Sequence, residues 1–269
     1  MDRKLGINID CIGGDFDELR TLEIAHRTGF EVFTGSKRPI GEMAKIKEKA
    51  VEYGMDFPFL HSPFSGINNM WLEGDEYLTV YGGITESVDV AAACEVAAVI
   101  THVSSGWQAP PVNDLGLSRF DALVEYASKK GVTLAFENLR MVGNLAYLAD
   151  RYEHNDNVRF CYDCGHEHCY TKTVPWVDIF TDKIVATHIH DNMSRPFGDK
   201  TTDPDSHWLP FDGTFDYHEM MRKLDRYGYA GPLVLEVYRN ARADYKELTP
   251  EEFIATSFDR IRRISKLNL

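Results

Sequence analysis

The sequence predicts an α/β protein of the closed (β/α)8, or TIM, barrel class, and three observations predict it. Short apolar runs alternate with helical segments along the whole chain, the pattern of parallel βα units. The turn after the first run, CIGGDFDE, lacks the G-x-G-x-x-G spacing that would mark an open doubly wound sheet. Run after run also closes on a side chain able to bind a metal, as expected where a barrel gathers one group per strand at a single mouth.

The strand-like runs are residues 5–10, 31–34, 57–61, 99–103, 133–137, 158–163, 185–188 and 233–237. Helix-like segments fall between them at 16–28, 41–53, 75–97, 117–130, 145–152, 175–180, 217–227 and 250–267. Gly29, Gly54, Gly131 and Gly228 stand where helix C-caps are needed. Glu251 and Glu252 in the first turn of the last helix, with Arg262, Arg263 and Lys266 in its last, suit the helix dipole. No Pro/Gly/Ser-rich linker or low-complexity tract interrupts the chain, so residues 1–269 read as one domain. The linkers after His61 and His188 are the long ones, and long loops at strand C-termini carry function in barrels.

Composition narrows the classes of function. No stretch of 18 apolar residues predicts a membrane helix, and MDRKLGINID enters a strand without the shape of a secretory signal. Five cysteines are an odd number in a chain of 269 residues, which suits a reducing cytoplasm better than a disulfide framework. The formal net charge of −13 argues against a nucleic-acid partner, which needs a basic surface.

The central candidates are Glu137, Asp163, His188 and Glu236, each at the end of an apolar run. Buried unpaired carboxylates are very costly, so several together require a cation or shared protons. Pairing with Arg or Lys is the better account of any one of them alone, and a divalent metal the better account of the set. Carboxylate and imidazole together suit Mn, Zn, Co, Fe or Mg without choosing among them. His61 and His102 close the third and fourth runs, where a ligand role and a hydrogen-bonded polar layer weigh equally. His166 follows Asp163 in a D-x-x-H, open to a second metal or a substrate hydroxyl. Asp205 and His207 form a D-x-H that also reads as a turn. Cys161, Cys164 and Cys169 read as reduced structural residues rather than a redox pair. His154, His168, His190 and His218 have no spacing argument and read as surface or supporting residues. Trp71, Trp107, Trp208 and Phe64 sit in loops after strand ends, where aromatics wall sugar sites or simply pack.

Together these residues resemble the xylose isomerase-like TIM barrels, a family of sugar isomerases and epimerases that also includes zinc-dependent apurinic/apyrimidinic endonucleases. The resemblance runs from the first strand to the last helix. It is carried by Glu137-Asn138, D-x-x-H from Asp163, H-x-x-D from His188 to Asp191, HWLPFDGTFDY, and YGYAGPLVLEVY leading into Glu236. It implies one divalent ion on Glu137, Asp163, His188 and Glu236, with His166 holding substrate and the two glutamates flanking the carbon that exchanges a proton. The endonuclease pattern adds His61, His102, Asp205 and His207 and up to three zinc ions. The family's substrate-side arginine is matched approximately by Arg195.

The resulting expectation is a metal-dependent isomerase or epimerase of a small sugar, sugar phosphate or polyol, acting through a metal-stabilised enediolate. Glu137 and Glu236 would be the acid–base pair, with His166, Arg195 and Trp107 on the substrate side. The ion would be Mn, Zn, Co or Mg, in one copy with up to three allowed. An abasic-site phosphodiester hydrolase and a non-catalytic metal- and sugar-binding barrel are the alternatives. The sequence leaves the oligomeric state open, a homo-oligomer included.

Overall fold

The computed structural model describes residues 2–14, 16–196 and 198–267. Eight parallel strands supply its centre: β1 (Leu5–Asn8), β2 (Val32–Thr34), β3 (Phe59–His61), β4 (Ala98–Thr101), β5 (Thr133–Glu137), β6 (Val158–Asp163), β7 (Ile184–His188) and β8 (Leu233–Leu235). Strands pair in the orders β2-β1-β8 and β3-β4-β5-β6-β7. Single parallel bridges join these two sheets. Val32–Asp56 and Ser36–His61 link β2 to β3, and Ile189–Leu235 links β7 to β8. The sheet therefore curls shut into the expected (β/α)8 barrel.

The barrel interior is a thin apolar layer of Val32, Phe59, Ala98, Ile100, Ala135, Cys161, Ala186 and Val234. Small residues dominate because eight strands enclose little space. Gly6 marks the tightest point, since a Cβ there would stand 3.0 Å from both Val32 and Val234. Strand side chains alternate, so the next inward position is two residues on. From Phe59, Ile100, Ala135, Cys161, Ala186 and Val234 that step reaches His61, His102, Glu137, Asp163, His188 and Glu236. One geometric rule thus places six candidate ligands at the same end of the barrel.

A larger core lies between strands and the outer helices. The helices are α1 (Glu18–Thr28), α2 (Ile40–Glu52), α3 (Tyr77–Ala93), α4 (Asp114–Lys129), α5 (Val142–Arg151), α6 (Cys164–Tyr170), α7 (Trp176–Phe180), α8 (Tyr217–Arg226), α9 (Ala243–Glu247) and α10 (Pro250–Ser265). Asp17 caps α1 through the Leu19 amide. Thr249 and Glu252 form a reciprocal capping box on α10, as the acidic first turn anticipated. Among the described residues no helix is long and apolar enough to cross a membrane.

Three differences from expectation have physical causes. His102 and Glu236 lie one residue beyond β4 and β8, because ladder pairing stops where the mouth opens. The short helices α6 and α9 lack the length for a sequence period to reveal them. Trp71 is no site wall: it is buried and donates to the Val103 carbonyl at 2.7 Å.

Candidate metal centre

Glu137, Asp163, His188 and Glu236 converge as expected, each offering a ligand atom within 4.8 Å of the others'. His188 Nδ1 lies 3.0 Å from Glu137 Oε1, 3.3 Å from Glu236 Oε2 and 3.8 Å from Asp163 Oδ2. Asp163 is fully buried and Glu137 nearly so. Asn138, of the Glu137-Asn138 pair, clamps β5 to β6 with both ends of its amide. Its Nδ2 donates to the Asp163 carbonyl and its Oδ1 accepts from the Asp163 amide, each at 2.8 Å.

A second group shares Glu137. His61 and His102 bring Nε2 to 3.2 and 3.1 Å from its Oε2. A third group is His166, His190, Asp205 and His207. His166 Nε2 stands 3.1 Å from Asp205 Oδ2, and His207 Nε2 stands 3.4 Å from Asp205 Oδ1. The loop carrying Asp205 and His207 is fixed by Asp191, the last residue of the H-x-x-D. Its backbone exchanges two hydrogen bonds with Trp208, and its carboxylate accepts from the amides of Phe211 and Phe215. Asp191 is thus a scaffold residue.

The histidines are oriented for ligation. Nδ1 of His61, His166 and His207 faces the backbone carbonyls of Ser62, Asn138 and Glu236 at 2.6, 3.1 and 2.9 Å. With Nδ1–H donating there, each Nε2 is left with a lone pair aimed into the mouth.

His190 is the ligand candidate that spacing arguments missed. It lies two residues beyond His188, so strict alternation would have found it. It is fully buried, stacks on His207 with ring centroids 3.9 Å apart, and puts Nε2 3.1 Å from Asp163 Oδ1. Gly165 makes room for it, because a Cβ at that position would come within 1.9 Å of the imidazole.

The electrostatics fit a cation. Burial opposes the ionised form of Glu137, but His188, His102 and His166 outweigh it and hold the carboxyl well below its usual range. Burial likewise loses to His166 and His207 at Asp205, which is also held well down. Asp205, with Glu236, raises His207 to about 9 against burial. Among these residues, protons on histidines balance carboxylates, and a divalent ion is the alternative counter-charge. Cys161 also lies within reach of Glu137 and His188. Burial raises its thiol to about 12, which disfavours a thiolate ligand. All five cysteines are buried and free, in line with a structural reading.

The mouth opens into a cavity of about 430 Å³ walled by His61, Phe64, His102, Arg140, Asp203 and Tyr238 and also lined by Glu137, His166, Asp205, His207 and Glu236. Phe64 stacks on His102 at 4.3 Å, so it is the loop aromatic that faces this cavity. Trp107 and Arg195 do not line it. They meet each other in a neighbouring cavity, the guanidinium 4.3 Å above the indole ring. Arg195 is held there by hydrogen bonds to the carbonyls of Cys169, Tyr170 and Asp199.

Residues 22–264 match the xylose isomerase-like TIM barrel family. An uncharacterized protein, y4fM, of Sinorhizobium fredii is 31% identical over 158 residues, 52% of this chain, and the chain spans about half that protein's length. Among solved structures, the zinc-bound IolI protein superposes with a TM-score of 0.77 at 17% identity, covering 97% of this chain and 98% of that one. D-psicose 3-epimerase from Clostridium cellulolyticum H10 gives 0.75 at 14% identity, covering 97% and 99%. The 3-keto-D-glucoside 4-epimerase YcjR of E. coli gives 0.73 at 15%, covering 97% and 100%. At such identities the likeness is one of fold.

Proposed function

The chain belongs to the xylose isomerase-like TIM barrel family, and on that premise we propose that it is a metal-dependent isomerase or epimerase of a small sugar, sugar phosphate or polyol. The observation that carries this reading is the convergence of Glu137, Asp163, His188 and Glu236, of which Glu137 and Glu236 line the cavity at the barrel end where catalysis sits. A divalent ion held by these four residues supplies Lewis acidity toward oxygens flanking the reacting carbon. The chain's own groups do the rest. Glu236, whose side chain is 17% exposed, is the carboxylate of the four most open to the cavity and would take and return the proton. Glu137 is its partner on the opposite side, less available because its oxygens already face four histidines. Phe64 and Tyr238 give this cavity two aromatic walls. Five buried thiols suit a cytoplasmic setting.

The test is metal content of the purified chain, followed by a ketose screen in heavy water. Deuterium entering a substrate C–H is the expected result. A chain that binds no divalent ion, or binds one and exchanges no ketose proton, would end this reading.

A second reading is favoured by the His61/His102/Glu137 group and the His166/His190/Asp205/His207 group, which give ligands for up to three ions. Multinuclear sites suit phosphodiester hydrolysis, and a zinc-dependent abasic-site endonuclease would use them so. The net charge of −13 weighs against a duplex partner. Three zinc ions per chain with cleavage of abasic duplex, and binding that weakens steeply with salt, would put this reading first.

A further inference from the structure

A second cavity, of about 290 Å³, adjoins the metal cavity, and Arg140 lines both. Tyr170 stands between them, its ring 5.5 Å from that of His166 on one side and 5.7 Å from that of Trp107 on the other. Arg140 stacks 3.7 Å over the Tyr170 ring, and both join Asp203. The boundary is therefore a side-chain partition of Arg140, Tyr170 and Asp203, which a ligand that spans both cavities must displace.

The lining of the second cavity is the opposite of its neighbour's. It carries Arg140, Lys172, Arg195 and Lys200 and, among the described residues, no Asp or Glu. In a chain of net charge −13, four cations around one volume is a marked departure. Arg140 is neutralised by Asp203 at 2.8 Å. The other three have no carboxylate within ion-pair distance among the described residues. Arg195 spends its donors on carbonyls at the end of α6, which turns the negative end of that helix into a cationic wall. Lys172 donates to the Arg195 carbonyl at 3.3 Å, and the Lys200 ammonium sits 5.5 Å over the Trp107 ring. Three cations without carboxylate partners gather at one cavity, where an anion would meet a positive potential.

We propose that this cavity is a subsite for a phosphate group of the substrate, with the remainder of the molecule passing Arg140 to reach the metal cavity. Lys172 and Lys200 offer mobile point charges to a tetrahedral oxyanion, while Arg195, whose donors are largely taken by carbonyls, adds its positive charge to the wall. Trp107 supplies an apolar wall for the carbons that follow. The inference rests on the metal cavity being the reaction site, and it narrows the substrate to a phosphate ester.

The probe is inorganic phosphate, titrated calorimetrically into the full chain both metal-loaded and chelator-treated. Binding is expected in both forms, with Kd weakened at least roughly tenfold in Lys172→Ala/Lys200→Ala as two charge-assisted contacts are lost. Phosphate binding that vanishes with the metal, that survives the double substitution unchanged, or that is absent at about 10 mM would overturn the subsite. Fructose 6-phosphate and a dinucleotide then separate a monoester from a diester source, with fructose as control. Failure of the metal-centre reading would appear separately, as absent metal or absent proton exchange in a protein that still binds phosphate through the lysines.

Discussion

The two cavities at the barrel mouth share Arg140 and differ in almost everything else. In the metal cavity the charged heads other than Arg140 are anionic or imidazole and mostly buried, carried on strand ends, the start of α6 and the loop of Asp205 and His207 that Asp191 fixes. They are cross-bonded to one another before any ligand arrives. In the side cavity the heads are cationic, Lys172 and Lys200 are exposed, and the groups come from loops and the end of α6. Groups on strands keep their geometry without further ordering, whereas loop lysines must lose rotamer freedom when a ligand binds. Substitutions should therefore be all-or-none in the first cavity and graded in the second.

The largest expected effect is that of Asp163→Ala. The residue offers a ligand oxygen to the centre, caps α6 through the His166 amide at 2.6 Å and accepts from His190. Its removal should empty the four-residue site and cost ~0.5–2 kcal/mol for the lost cap alone. Metal per chain and thermal melting measure the two losses. Lys172→Ala is the control and should keep full metal. An Asp163→Ala protein that holds a normal metal complement would erase the contrast between the cavities.

Next comes Glu236→Gln, which keeps an oxygen ligand and removes the basic carboxylate. Metal content should fall only in part, while turnover falls by the ~10²–10⁴-fold typical of a lost acid–base group. If the variant exchanges the substrate C–H proton at the parent rate, Glu236 is a ligand alone and the two-glutamate mechanism is wrong.

Gly165→Ala should act through its neighbour. The new methyl must displace His190, and with it the hydrogen bond on Asp163 and the stack on His207. Overpacking of this kind costs ~1–3 kcal/mol, and loss of a residue that orients a ligand typically lowers metal affinity about 10–100-fold. Coupling is checked in a double-mutant cycle with His190→Ala, where the methyl should cost much less. Equal cost in both backgrounds would show that the two residues do not act together.

The same contrast explains what the sequence disclosed. Six inward ligand positions were legible because alternation along a strand is rigid: Ala135 points in, so Glu137 does, and Ala186 with His188 follows the same rule. His190 obeys it too, but was passed over because it stands beyond the apolar run. Arg140 and Tyr170 gave no signal. They lie in a loop and at the end of α6, and are brought together only by tertiary packing. Trp107 and Arg195 meet in the second cavity, a placement the sequence did not disclose, since no period tells which side of a partition a loop residue will face.

The smallest expected effect is a reversal of sign with pH. In the metal-free protein burial disfavours protonated His207, yet Asp205 and Glu236 outweigh it and raise the imidazole to about 9. Burial is likewise overcome at His166, chiefly by Asp163 and Asp205, and at His188, by the carboxylates of Glu236 and Glu137, so both are raised. A group raised on folding stabilises fully below its unfolded value, near 6.5, and that stability is lost as pH climbs through the folded value. His102 runs the other way, because burial outweighs Glu137 and lowers it, so its contribution is lost as pH falls below about 6.5. With three histidines raised against two lowered, His102 and (again by burial) His168, whose contributions change below pH 6.5, the chelated protein should melt lower at pH 9 than at pH 6.5. Each pKa unit is worth about 1.4 kcal/mol, on the order of 2–4 °C in a chain of this size. A metal requires the same imidazoles to be neutral, so binding releases their protons and its stabilisation should grow over that interval. Melting curves at several pH values, with chelator and with added Mn or Zn, should therefore diverge as pH rises. Parallel curves would mean that the histidine protons and the metal do not compete for one set of lone pairs.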